Sequence, residues 1–213
     1  MQVEVWADVI CPWCYIGRRR FEKALSRFDG AEPVEVTYRS FELDPGAPTE
    51  SDMSLDQLLA AKYGLSLVEA RAANERVTTT AAAEGLEFHL DLARPTNTLA
   101  AHRLLQLATV RHNRPAVEER FLKAYFTEGK SLADPETLLR LSVEAGLKDA
   151  DVRRVLAGQA FTLQVRQDEA EAAALGADGV PFFLFNRVRI VSGAQPTDFF
   201  LNVLDMVRGP KVP

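Results

Sequence analysis

Residues 3–21 read V-E-V-W-A-D-V-I-C-P-W-C-Y-I-G-R-R-R-F, and this run holds both cysteines of the chain, Cys11 and Cys14. Its first part alternates and then turns largely apolar, which predicts a strand over Gln2 to Val9. The Cys-Pro-Trp-Cys that follows predicts a helix start, because Arg18, Phe21, Ala24, Leu25 and Phe28 recur at helical spacing behind it. Pro12 fits the first helical turn, where a missing N–H leaves no bond unmade. Asp29-Gly30 ends the helix, and the alternation from Pro33 to Phe41 predicts a second strand.

Beyond Pro45-Gly46-Ala47-Pro48 the character changes to Ala, Leu, Glu and Arg at three and four spacing, broken at Gly64, Gly85, Pro95, Pro115, Pro135, Gly146 and Gly158. A series of helices is expected there, with starts at Ser54 (Gln57 three residues on) and at Asp134-Pro135. Strand patterning returns after Asp178-Gly179: Phe182 to Phe185, a turn at Asn186-Arg187, then Val188 to Val191, with a last helix opened by Pro196. The expected architecture is α/β. A discontinuous domain of residues 1–48 and 177–213 carries β-α-β and β-β-α halves around an all-helical insertion at 49–176.

Composition narrows the function. A formal charge of −5 leaves no broad basic surface for a phosphate backbone, so no nucleic acid partner is expected. No run of about 18 apolar residues is present, so no membrane span is expected. The N-terminus lacks the basic, apolar and small-residue segments of a secretory leader, from which a cytoplasmic location is expected. In a reducing compartment a cysteine pair serves catalysis, redox sensing or metal binding more often than structure.

The first turn of a helix offers unpaired N–H groups and a partial positive charge that favour a thiolate. Cys11 would therefore be the ionised, attacking thiol, and Cys14, one turn further in, would close onto it and release a mixed disulfide. The same spacing also supplies half of a zinc site, whose other ligands would have to come from His89, His102, His112 or carboxylates that show no matching spacing, so no metal is expected. An inert structural pair is the remaining alternative. Gly179-Val180-Pro181, ahead of the third strand, reads alone as a strand-start proline.

Taken together, D-V-I-C-P-W-C-Y-I-G-R-R-R-F-E, S-F-E-L-D-P, A-H-R-L, A-Y-F-T-E-G, G-V-P-F-F and S-G-A-Q-P resemble the thioredoxin superfamily, in its DsbA-like branch with a helical insertion, and within it the FrnE-like group. The resemblance implies a thiol-disulfide oxidoreductase, an oxidase or isomerase. Cys11 would be its nucleophile, Cys14 the resolving thiol, and Pro12 and Trp13 the dipeptide that tunes the potential. Val180 and Pro181 would form a cis-proline loop that pairs with an extended client as an added strand. Asn97 and His102 are further candidates for substrate binding, although a satisfied core or groove histidine is the favoured reading of His102. Some FrnE-like proteins carry a second C-x-x-C near the C-terminus; this sequence has none.

The resemblance extends to kappa-class glutathione transferases and 2-hydroxychromene-2-carboxylate isomerases, in which a serine takes the first cysteine's place. Expected partners are thus protein or peptide thiols, with glutathione a candidate co-substrate, on a monomer or homodimer that needs no cofactor beyond the cysteine pair. A glutathione-dependent enzyme of that type and a non-catalytic redox sensor or chaperone are the rival readings. Three residues have plainer readings: Trp6 as core, Arg18-Arg19-Arg20 as a solvated face rather than an anion contact, and Gly17 as a site of close packing or bending. In mid-helix that glycine costs about 1 kcal/mol against alanine.

Overall fold

The computed structural model describes residues 1–30, 33–49 and 51–208. The chain divides into two compact units, Met1–Leu43 with Asp168–Pro213, and Asp44–Gln167. The boundaries thus fall at 43/44 and 167/168, where the sequence put them at 48/49 and 176/177; residues 209–213 of that expected range lie outside the described residues.

The first unit is built on a mixed sheet of order β2-β1-β3-β4 among the described residues. Strand β1 (Gln2–Ala7) leads into α1 (Pro12–Arg27) and then β2 (Glu35–Ser40), which runs parallel to β1 with Gln2 opposite Glu35 and Ala7 opposite Ser40. The hairpin β3 (Phe182–Phe185) and β4 (Arg189–Ser192) adds antiparallel, with Val3 opposite Phe185 and Trp6 opposite Phe182. Its turn is fixed by Asn186 and Arg187, both at positive φ (47° and 57°). Val188 N–H donates to the Phe185 carbonyl at 3.0 Å and so belongs to the turn, and β4 starts at Arg189, one residue later than its sequence pattern predicts.

Strand β1 is buried on both faces, and its two sets of side chains meet different cores. Val3 and Val5 join Phe21 and Ala24 of α1, Phe183, Phe185, and Phe200 and Leu204 of the last helix, Thr197–Val207. Phe21 meets the Phe185 and Phe200 rings edge-on at 5.9 and 5.4 Å, an arrangement that adds about 0.5–1.5 kcal/mol per pair beyond burial. Trp6, on the other face, packs with Ala172, Phe182 and Leu184. As expected from the sequence, this tryptophan is core.

Glu4 shares the Trp6 face and is nearly buried. Its Oε1 accepts from Arg39 at 2.6 Å and Arg187 at 3.0 Å, while Arg187 also reaches Glu171 at 2.7 Å. Asp168 explains why the first unit resumes there. Its carbonyl accepts from the Trp6 indole at 2.8 Å, and its carboxylate accepts from Ser40 N–H at 2.8 Å and Arg39 at 3.3 Å.

The second unit is helical. Helices α2 (Leu55–Tyr63), α3 (Leu67–Ala83), α4 (Leu99–Val110), α5 (Arg114–Phe126), α6 (Pro135–Glu144) and α7 (Asp149–Ala157) precede α8 (Thr162–Ala174), within which the boundary falls; the Thr197–Val207 helix of the first unit is α9. The expected starts at Ser54 and Asp134 are real caps: Ser54 accepts from Gln57 N–H in a reciprocal capping box, and Asp134 Oδ2 accepts from Thr137 N–H at 2.8 Å. Ser66 and Glu69 form a second box. Arg103 of α4 is buried, and its guanidinium donates to the carbonyls of Val155, Gly158 and Ala160, closing the C-terminal end of α7. Among the described residues no helix is long and apolar enough to cross a membrane.

Candidate active site

Strand β1 ends at Ala7, and a short connection delivers Cys11 to the N-cap of α1 with extended backbone (φ −87°, ψ 112°). The Cys11 N–H donates to the Asp8 carbonyl at 3.2 Å, and the Cys11 carbonyl accepts from Cys14 N–H at 3.0 Å, so the first turn is closed around the pair. Pro12 takes the first helical position, as its fixed φ requires. Both cysteines are free thiols and almost fully covered, at 3% and 4% exposure, whereas Trp13 between them is 42% exposed.

From the opposite side comes the loop that precedes β3. The Val180–Pro181 peptide bond is cis, Val180 packs on the Ala7, Cys11 and Cys14 cluster, and Cys11 Sγ donates to the Val180 carbonyl at 3.5 Å. The structure thus brings together Cys11, Cys14, Val180 and Pro181, with Pro12 and Trp13 on the intervening turn.

Burial pushes the Cys14 thiol well above the ordinary range, and its bond to Cys11 and the negative charge that Cys11 can carry push the same way. A contact with the Asp8 backbone opposes them only in part. Cys14 therefore stays protonated at neutral pH and is held in reserve within the first turn.

Asn97 and His102 belong to the second unit. Asn97 is committed locally: its Nδ2 donates to the Pro45 carbonyl at 3.3 Å, its N–H to the Pro48 carbonyl at 3.0 Å, and its Oδ1 accepts from Leu99 N–H at 3.0 Å at the start of α4. His102 is fully buried in α4. Among the described residues no three His, Cys, Asp or Glu side chains gather as a metal site. His89 instead meets Glu87 at 3.0 Å.

The arginine triplet corrects the sequence reading. Arg18 is buried, with its guanidinium 5.5 Å from the Tyr38 ring centre and bonded to Glu22 at 2.8 Å. Arg19 lies 5.0 Å from the Tyr15 ring centre and also pairs with Glu22, and Arg20 donates to the Ala194 carbonyl at 2.7 Å. None is a freely solvated charge, because each guanidinium finds an aromatic face, a carboxylate or a carbonyl beside α1.

Sequence reasoning also passed over Asp8, which is 1% exposed and whose Oδ2 accepts from Leu43 N–H at 2.7 Å. An acid inside the apolar run A-D-V-I-C was the available signal, since a carboxylate between a buried strand and a helix start has to find donors.

Paired thiols so placed on a mixed sheet are those of a thioredoxin-fold oxidoreductase. The chain belongs to the DSBA-like thioredoxin domain family, whose match runs over residues 2–205. It is similar to a probable DsbA oxidoreductase of Streptomyces coelicolor, with 45% identity, a TM-score of 0.94 and coverage of 100% of this chain and 92% of that one. The uncharacterized protein YwbO of Bacillus subtilis is 25% identical over 94% of each chain. The fold is shared with the cytosolic disulfide reductase DsbM of Pseudomonas aeruginosa, solved with GSH, at 18% identity, a TM-score of 0.67 and coverage of 98% of this chain and 100% of that one.

Proposed function

We propose that the protein exchanges disulfides with protein or peptide thiols through Cys11. In the reducing direction the Cys11 thiolate attacks a client disulfide, forming a Cys11–client bond and releasing one client thiolate, which takes up a proton. Cys14 then attacks Cys11 Sγ as its proton passes to the departing second client sulfur, which leaves as a thiol, and a Cys11–Cys14 disulfide remains. Two electrons pass from the pair to the client, and the oxidising direction is the same sequence reversed. Glutathione is the co-substrate that would restore the dithiol.

One observation carries this reading: the Cys11 thiol at the start of α1 faces the Val180 carbonyl at 3.5 Å, with Cys14 one turn further along the same helix. Backbone groups of Val180 are suited to hold an extended client beside the sulfur as an added strand. Pro12 and the exposed Trp13 are the residues between the thiols through which the pair's potential would be tuned.

Cys11→Ser and Cys14→Ser test the assignment in an insulin-reduction assay with glutathione as reductant. Cys11→Ser should abolish turnover, and Cys14→Ser should accumulate mixed disulfides. Full turnover by Cys11→Ser refutes disulfide exchange at this site, and glutathione conjugation retained by Cys14→Ser assigns the pocket to transferase or isomerase chemistry instead.

A further inference from the structure

Gly17 lies on α1 one turn beyond Cys14, on a buried part of the helix. A side-chain carbon at this position would stand 3.0 Å from Pro181 Cγ and 3.3 Å from both Cα and Cβ of Ala194. Both neighbours are held in place. The Pro181 carbonyl accepts from Gly193 N–H at 2.8 Å, so the two loop segments are tied to each other. Arg20, three residues along the same helix, donates to the Ala194 carbonyl at 2.7 Å and draws that segment onto α1. The loop is therefore pulled in by Arg20 and stopped by the bare backbone of Gly17. Immediately next to Pro181 is Val180, whose carbonyl faces Cys11 Sγ at 3.5 Å.

We infer that Gly17 and Arg20 are positioning residues of the dithiol site: together they set how closely the Val180–Pro181 segment approaches Cys11. The inference rests on Cys11 being the reacting thiol. Neither residue touches the sulfur; they act through the loop that does. A methyl group at residue 17 has little slack to exploit, because the pyrrolidine ring is rigid and the Ala194 contact includes backbone. The loop must yield by a few tenths of an ångström, and with it the Val180 carbonyl. Misplacement by about 1 Å costs about 100-fold in well-organised sites, so a rate loss of about 5- to 10-fold is expected.

The experiment compares wild type, Gly17→Ala, Arg20→Gln and the double variant Gly17→Ala/Ala194→Gly, all as the full chain. Three readouts are taken: the rate of Cys11 with a peptide disulfide, the pH profile of Cys11 alkylation by iodoacetamide, and the urea midpoint. Gly17→Ala is expected to slow exchange about 5- to 10-fold and to shift the alkylation profile, with the urea midpoint lowered only slightly, because the better helix propensity of alanine offsets part of the strain against Pro181 and Ala194. Removing the Ala194 methyl in the double variant should restore part of that loss. Arg20→Gln, which releases the tether, should change the same two thiol readouts, and it carries the test if Gly17→Ala fails to fold. Unchanged exchange and alkylation in both single variants overturn the inference, as does a loss that only follows a lowered midpoint and is not relieved by Ala194→Gly. If wild type alkylates at Cys11 but exchanges with no disulfide, the functional reading fails, and the alkylation profiles alone then decide the role of Gly17 and Arg20.

Discussion

Replacing Cys14 by alanine should remove a specific part of the reduced protein's sensitivity to alkaline pH. In the folded chain burial raises the Cys14 thiol, whereas in the unfolded chain it ionises near the usual value of about 8.5. Above that pH the unfolded state sheds a proton that the native state retains, so stability falls as pH rises until the native thiol also ionises. Each pH unit in that window amounts to about 1.4 kcal/mol, so the contribution of Cys14 at pH 9.5 is a loss of at most about 1.4 kcal/mol relative to pH 7. Below about pH 8 both states hold the proton and the contribution vanishes. The assay is urea unfolding under a non-thiol reductant at pH 7.0, 8.0, 9.0 and 9.5, in wild type and Cys14→Ala. The difference between the two stabilities should be flat to pH 8 and then fall by about one kcal/mol. A difference that stays constant to pH 9.5, or that moves the opposite way, refutes the claim that Cys14 is a buried, neutral reserve.

Two further substitutions test the scaffold. Phe21→Ala empties the meeting point of the Phe183, Phe185 and Phe200 rings beneath α1 and should destabilise by about 3–5 kcal/mol in urea unfolding; a loss below about 1 kcal/mol would mean that the site collapses around the gap. Arg103→Lys should be nearly as damaging as Arg103→Met, each lowering stability by about 2–4 kcal/mol, because an ammonium cannot span the three carbonyls at the end of α7; wild-type unfolding in the lysine variant would show that charge alone suffices.

The architecture was legible where one periodicity dominates. The doubly apolar end of β1, the helical spacing behind Cys14 and the unbroken apolar run Phe182–Phe185 fix the α/β character, because β1 and β3 are buried on both faces of the sheet. Capping at Ser54 and Asp134 was also local and therefore readable. The site was readable in halves. Cys11 and Cys14 are neighbours in sequence, but Val180 lies 169 residues from Cys11, and only the family resemblance joined them. What stayed hidden depended on partners that a sequence does not align. Three consecutive arginines look like solvated charge until Tyr15, Tyr38 and Glu22 are seen beside them. Asp8 gains a role only with Leu43, whose N–H donates to it from 35 residues away. The unit boundary within α8 was missed because Asp168 serves the sheet while its neighbours continue a helical pattern.

The pairing of Glu4 with Arg39 and Arg187 also acts as a ratchet on the sheet. These residues come from β1, β2 and the β3–β4 turn, three segments remote in sequence, and they coincide only in the observed register. Sliding β1 by one residue would turn Glu4 toward the phenylalanine core and Val3 and Val5 toward the arginines, stranding a carboxylate at a cost of several kcal/mol. Because α1 follows β1 after a short connection, such a slip would also carry the thiols along the strand by about 3.3 Å. An ion cluster around the buried Glu4, on the Trp6 face of the sheet, thus works as the stop that fixes where the chemistry begins.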